Sequence, residues 1–307
     1  FRHNPTDVDR RLFTFFFSTS ITGWLLLVKF SICNELFKGW SLSEIFNFVS
    51  KLGYHAVELA PFTIIDDVRE VSPSKREAIR RLATQHGLKI AGLHWLLVKP
   101  EGLHINHPNP DVRRKTVEYL KHLGVFCRDL GGEVLVFGSP RQRTILPNVT
   151  YEEAWEWTVE AFKECVEYLA DYDVTLCIEP LRSELTNFIT TVEEALKLID
   201  ELAKPNFKLI LDVYFMSGTS RPIREQILLG ARHLKHFHAN DDNKGGPGFG
   251  SVNYGEVADA LKQVGYCRYV SVEVLRDEDS PEYVARKSLE TLRKFFESSK
   301  EYLYTCE

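Results

Sequence analysis

Eight times between residues 28 and 298 the chain passes from a short apolar run, rich in β-branched residues, into a stretch with helical periodicity. Short, nearly continuous apolar runs suit strands buried on both faces. Helices between them carry the chain back so that the next strand lies parallel. The runs are VKFSIC (28–33), HAVELA (55–60), LKIAGLHW (88–95), EVLVFG (133–138), VTLCIE (174–179), FKLILD (207–212), HLKHFH (233–238) and YVSVE (269–273). Helices are predicted over 41–53, 73–87, 110–131, 150–172, 190–203, 222–230, 253–265 and 280–298. Ser41 caps the first and Gly53 stops it, while Thr150 and Glu153 form a capping box on the fourth. This alternation predicts the α/β class and a single-domain (β/α)8 TIM barrel over 28–300, a fold that takes about 250 residues. An open doubly wound sheet is the alternative, but no Gly-rich phosphate turn follows the first run.

Four of the runs close on a metal-ligating residue: Glu179, Asp212, His238 and Glu273. In a barrel the C-terminal strand ends converge on one mouth, where the chemistry sits. Three carboxylates meeting there cannot all stay ionised without a partner, because like charges repel strongly in a low dielectric. A divalent cation removes the conflict. One buried Glu at a strand end could equally be a structural ion pair; four in succession on strands five to eight favour a metal. Carboxylates and an imidazole without thiolate favour Mn²⁺, with Mg²⁺ or Co²⁺ as alternatives, over structural Zn²⁺.

The net charge of −5 and a pI near 6.1 speak against a dedicated nucleic-acid surface. Six scattered cysteines without a CxxC pair, two of them (Cys33 and Cys177) on predicted strands, read as buried free thiols of a cytoplasmic protein. Residues 1–27 do not fit the rest, since LFTFFFSTSITGWLLLV (12–28) follows Arg10-Arg11 and leads directly into the first strand. We read this segment as an extension upstream of a start near Val28, with an export signal or a cap on the barrel floor as alternatives. No small-residue cleavage site intervenes, and the run is marginal as a membrane span, so no stable membrane association is expected.

The loops after the strands hold the remaining candidates. His94, Trp95, His104 and His107 lie in 94–110, Arg141 and Arg143 in GSPRQR (138–143), and Lys244 in ANDDNKGGPGFG (239–250). His104 and His107 are expected to be exposed, His236 to pack inside the barrel, and the two arginines to be either solvated or binding an anion or hydroxyl.

The stretches IEPL (178–181), NFITTVEEALKLIDEL (187–202), LILDVYFM (209–216), HFHAND (236–241), GPGFGSVNYGEV (246–257) and VSVEV (270–274) carry a family resemblance over about 28–297. The chain resembles the xylose-isomerase-like barrels of sugar phosphate isomerases and epimerases, above all ketose 3-epimerases of the D-tagatose and D-psicose type. The resemblance implies a metal that binds two adjacent oxygens of an open-chain ketose and stabilises an enediolate as a Lewis acid. It implies that Glu179 and Glu273 remove and return a proton on opposite faces, and that Asp212 and His238 help to hold the metal. His94, Glu58, Arg141 and Lys244 would bind the small-molecule sugar. A homo-oligomer is left open.

The family's second Glu, six residues after the first, is Leu185 here with Glu184 beside it. Its His three after the Asp is Phe215, and its Arg six after the metal His is Lys244, which keeps the charge without the bidentate fork. The metal ligands are kept while the substrate-holding residues change. That points away from a free ketohexose and leaves a ketose phosphate, an oxidised (keto) glycoside or an inosose open. A lyase similar to inosose dehydratase would share the first half-reaction. A nuclease similar to endonuclease IV would need more ligands and a basic groove, and an idle sugar-binding barrel would have lost a ligand.

Overall fold

The computed structural model describes residues 28–277 and 280–297; residues 1–27, with the N-terminal extension expected there, 278–279 and 298–307 lie outside the described residues. Eight strands close into a barrel with every neighbour parallel and in chain order. They are β1 (Lys29–Cys33), β2 (Ala56–Leu59), β3 (Lys89–Leu93), β4 (Val134–Phe137), β5 (Thr175–Ile178), β6 (Phe207–Asp212), β7 (Leu234–Ala239) and β8 (Tyr269–Val272). The helices are α1 (Leu42–Leu52), α2 (Pro73–Gln85), α3 (Pro110–Leu130), α4 (Tyr151–Leu169), α5 (Val192–Leu202), α6 (Val213–Ser217), α7 (Ile223–Gly230), α8 (Tyr254–Gln263) and α9 (Pro281–Phe296). Each predicted strand and helix is present, most of them shorter by one to three residues at one end or both. Among the described residues no helix is long and apolar enough to cross a membrane.

Local chemistry sets the helix starts. Ser41 with Glu44 and Thr150 with Glu153 form reciprocal capping boxes, and Thr191 with Glu194 adds a third. Gly53 ends α1 in the left-handed region at φ 98°. The sequence reading placed nothing helical between β6 and residue 222, whereas α6 begins directly after the strand. The side chain of Asp212 accepts from the Phe215 N–H at 2.9 Å and so nucleates that turn.

Two environments result from the alternation of side chains along each strand. Outward-facing residues form one continuous apolar layer with the helices, including Phe30, Phe46, Phe126, Phe162, Phe207 and Phe237. Inside the barrel, Val134, Val136, Cys177 and Ile210 make a small separate apolar cluster on β4 to β6. The opposite side of the interior is polar. β2 and β7 are separated by β8 and β1 in the closed order, so the 2.7 Å contact of Glu58 Oε2 with His236 Nε2 crosses the interior. His236 is buried as expected, but as a hydrogen-bonded partner of a carboxylate. Cys33, Cys127, Cys165 and Cys177 are buried free thiols. Cys267, by contrast, is disulfide-bonded, so the expectation of free thiols holds for the strand cysteines and fails there.

Gly92 in β3 allows the close approach of β4, because a Cβ there would lie 2.3 Å from the Val134 carbonyl oxygen. Backbone cannot give way as a flexible side chain would. Gly92→Ala is therefore expected to destabilise the barrel by about 2 kcal/mol or more. A thermal or urea melt within 0.5 kcal/mol (roughly) of the parent would contradict this.

Candidate metal centre

Glu179, Asp212, His238 and Glu273 present ligand atoms that all lie within 4.8 Å of one another. Asp212 and His238 belong to β6 and β7, while Glu179 and Glu273 each stand one residue past β5 and β8. Both glutamates still continue the ladder: Glu179 N–H donates to the Phe137 carbonyl at 3.2 Å and Glu273 N–H to that of Ala239 at 3.1 Å. The four side chains are thus anchored by barrel backbone, not by loops, and all are at most 5 % exposed.

The imidazole of His238 is gripped from two sides. Its Nδ1 faces the cluster, 3.1 Å from Glu273 Oε2 and 3.7 Å from Glu179 Oε1, and its Nε2 lies 3.1 Å from Glu58 Oε1. Glu58 therefore sits behind His238 with both oxygens engaged and no exposed surface. Glu58, expected to bind substrate hydroxyls, is not among the residues lining the cavity on which the cluster opens; its carboxylate orients the imidazole, so that Nδ1 is the atom turned to the cluster.

Further supports were not read from the sequence. Asn240 Nδ2 donates to Asp212 Oδ2 at 2.6 Å, while its Oδ1 accepts from the Tyr214 N–H at 2.6 Å. Its position two after His238 was a usable signal, since period two returns it to the same face. Trp95, at φ 53°, donates its indole N–H to Glu273 Oε1 at 3.1 Å. Glu35, just after β1, holds His94 Nε2 at 2.7 Å. Gly138 leaves room for Glu179, whose Oε2 would lie 2.4 Å from a Cβ at that position.

The cluster opens on a cavity of about 170 Å³ lined by His94, Trp95, Glu179, Leu185, Tyr214, Phe215, Lys244, Glu273 and Leu275, among others. Of the four residues expected to bind sugar, His94 and Lys244 line it. Arg141 is exposed on the Pro140–Gln142 turn and is not among the lining residues. Arg143 is buried instead, donating to the backbone carbonyls of Glu179 at 2.7 Å and Ile189 at 3.1 Å, so it braces the strand end. His104, expected to be exposed, is buried as well, and burial pushes its imidazole down to about 4; His107 is half-buried.

The family model described as xylose isomerase-like TIM barrel matches residues 46–295. The chain belongs to that family. Among its relatives, a probable ketose 3-epimerase of Synechocystis sp. is 24 % identical over 258 residues, covering 82 % of this chain and 86 % of that protein. Among solved structures, D-psicose 3-epimerase from Clostridium cellulolyticum superposes with a TM-score of 0.77 at 19 % identity, covering 88 % of this chain and 99 % of that one. The 3-keto-D-glucoside 4-epimerase from E. coli gives 0.74 at 18 %, covering 87 % and 99 %. At these identities the structural likeness is one of fold.

Within this xylose isomerase-like barrel the electrostatics fit a hard divalent cation. Burial, then the neighbouring Glu273 and Asp212 carboxylates, push Glu179 well above the usual carboxylate range. Burial and Glu273 raise Asp212 to about 7. Burial alone would lower the His238 imidazole, but Glu58 and Glu273 on either side carry it well above its ordinary value. Glu179 Oε1 is buried and has no hydrogen-bond partner. An unpartnered buried carboxylate oxygen facing two other carboxylates is costly unless a cation meets it. Three carboxylates and one imidazole without thiolate are the donors that Mn²⁺, Mg²⁺ or Co²⁺ accept.

Metal binding must then displace protons from groups that hold them tightly near neutrality. Because Glu179, Asp212 and His238 all titrate above their ordinary values in the folded chain, protons compete better as the pH falls. Mn²⁺ affinity should drop steadily from pH 8 to pH 6, and calorimetric heats should vary with the ionisation enthalpy of the buffer. An affinity independent of pH over that range would contradict the protonated cluster. Glu58→Gln should weaken Mn²⁺ binding about 10- to 100-fold with the circular dichroism spectrum unchanged.

Proposed function

We propose that this chain is a divalent-metal-dependent isomerase or epimerase of a sugar or sugar derivative. It transfers a proton at a carbon next to a carbonyl, with Mn²⁺ as the best-fitting ion. The observation that carries this reading is the buried cluster of Glu179, Asp212, His238 and Glu273 at a cavity, with one Glu179 oxygen left without a partner. The epimerase names of the relatives support it.

When bound, the ion would polarise the substrate carbonyl and offset the charge that develops on its oxygen. Glu179 and Glu273 reach the cavity from β5 and β8, which are not neighbours in the barrel. A carbon held between them is met from two sides, so one carboxylate can take its proton and the other can return one to the opposite face. Both are held in place for that task. The Trp95 indole fixes one oxygen of Glu273, and Arg143 fixes the backbone of Glu179. Glu58 keeps Nδ1 of His238 turned to the ion, and Asn240 does the same for Asp212. His94, braced by Glu35, and Lys244 would meet substrate oxygens in the cavity.

Glu179→Gln and Glu273→Gln should each lower the rate of deuterium uptake from deuterium oxide at least 10²-fold. The readout is NMR of a keto-sugar panel with Mn²⁺-loaded protein of unchanged melting temperature. Near-parental exchange in both variants would sink the two-carboxylate mechanism. Exchange accompanied by loss of a group would move the reading to the lyase.

A further inference from the structure

The metal-facing floor of the cavity is polar, but its rim is not. Trp95, Leu185 and Leu275 come from the loops after β3, β5 and β8, and Tyr214 and Phe215 from α6 after β6, and so surround much of the mouth. Trp95 and Leu185 are 40 % and 44 % exposed, two of the five large apolar side chains that stand so far out among the described residues. Exposed apolar side chains gathered at the mouth of a polar site mark a place where ligand covers them. Trp95 and Leu275 also line a larger adjoining cavity of about 1170 Å³, where Phe62 packs edge-to-face on Trp95.

The charges point the same way. Among the described residues lining the cavity, Lys244 is the one lysine or arginine. Its ammonium lies 5.7 Å from the Tyr214 ring centroid. Of the guanidinium groups nearby, Arg182 donates to the Tyr214 carbonyl and to Ser217, Arg143 donates to the carbonyls of Glu179 and Ile189, and Arg141 stands exposed on the Pro140–Gln142 turn outside the cavity lining. Three ionised carboxylates and a neutral imidazole around a divalent ion still leave a net negative charge. A phosphate dianion brought close would be repelled, with a single ammonium to offset it.

We infer that the substrate of this centre is a keto sugar carrying an apolar aryl or alkyl substituent, as in a keto glycoside, and not a phosphorylated ketose. The sugar ring occupies the polar floor and the substituent covers the rim between Trp95, Leu185 and Leu275. This assignment rests on the proton-transfer reading for which carbon lies at the carboxylates, but the apolar rim can be tested by binding alone.

The full chain loaded with Mn²⁺ is titrated by calorimetry with phenyl glucoside, methyl glucoside and glucose 6-phosphate. Deuterium exchange is followed in parallel on the 3-keto forms of the two glucosides, on free ketoses and on ketose phosphates. The phenyl glucoside is expected to bind about tenfold tighter than the methyl glucoside, and the phosphate weakest. Leu185→Asn, an exposed substitution, is expected to erase at least threefold of the phenyl advantage. Equal affinity of the two glucosides, binding of neither, or tighter binding of the phosphate overturns the substrate class. Exchange on free or phosphorylated ketoses without a phenyl preference overturns the substrate class and leaves the proton-transfer reading standing. A phenyl preference with no exchange on any keto sugar overturns the proton-transfer reading and leaves the apolar rim standing.

Discussion

A carboxylate with no access to solvent, Glu58, is the pivot of the barrel interior. It is shared by His236 and His238, which approach it from the far side of the barrel. Its desolvation would be prohibitive alone, and the two imidazoles hold it well below the usual carboxylate range against that burial. The pairing turns His238 so that Nε2 is spent inward and Nδ1 faces Glu179 and Glu273. Had Glu58 been apolar, the ring would be free to turn and the cluster would lose its one nitrogen donor of fixed direction.

From that pivot the interior divides. The side built by β4 to β6 is filled by Val134, Val136, Cys177 and Ile210. The other side is a chain of hydrogen-bonded groups that leads up to three crowded carboxylates. Charge of one sign accumulates towards the mouth, and the asymmetry calls for a cation there. The supports around it share a pattern: a second residue takes up the spare hydrogen-bonding capacity of each ligand. Asn240 serves Asp212 and Trp95 serves Glu273, while Arg143 braces the backbone of Glu179. Glu179 Oε1 is the ligand atom left without such a partner.

The loops then decide what the barrel can work on. Members of a fold family share the strand ends that build a centre, while the βα loops vary. Here the loops after β3, β5 and β8 and the helix α6 contribute apolar surface, while Arg143 and Arg182 turn inward to backbone carbonyls and Arg141 stays exposed outside the lining. A polar, negatively charged floor beneath an apolar rim is a different receptor from one lined throughout by hydroxyl-binding groups.

Strand order, helix starts and the positions of Glu179, Asp212, His238 and Glu273 were legible along the chain. Each rests on local physics: period-two burial, capping by Ser41, Thr150 and Gly53, and the rule that strand ends meet at one mouth. What the sequence could not determine is which of two similar residues turns inward, because that depends on neighbours far along the chain. Arg141 and Arg143 differ by two positions, yet one is exposed and the other buried against the backbone after β5. Glu58 and His94 both lie near the ends of predicted strands, yet Glu58 is enclosed by His236 and His238 while His94 reaches the cavity. Asp212 gained an unpredicted role as the cap of α6, because only the folded strand end brings its carboxylate to the Phe215 N–H. The sequence alone determined the barrel and the residues at its mouth, since both follow from periodicity within single elements. Tertiary structure decided which of those residues face the cluster, which line the cavity and which stand behind, since hydrogen-bond partners on distant strands choose the side-chain directions.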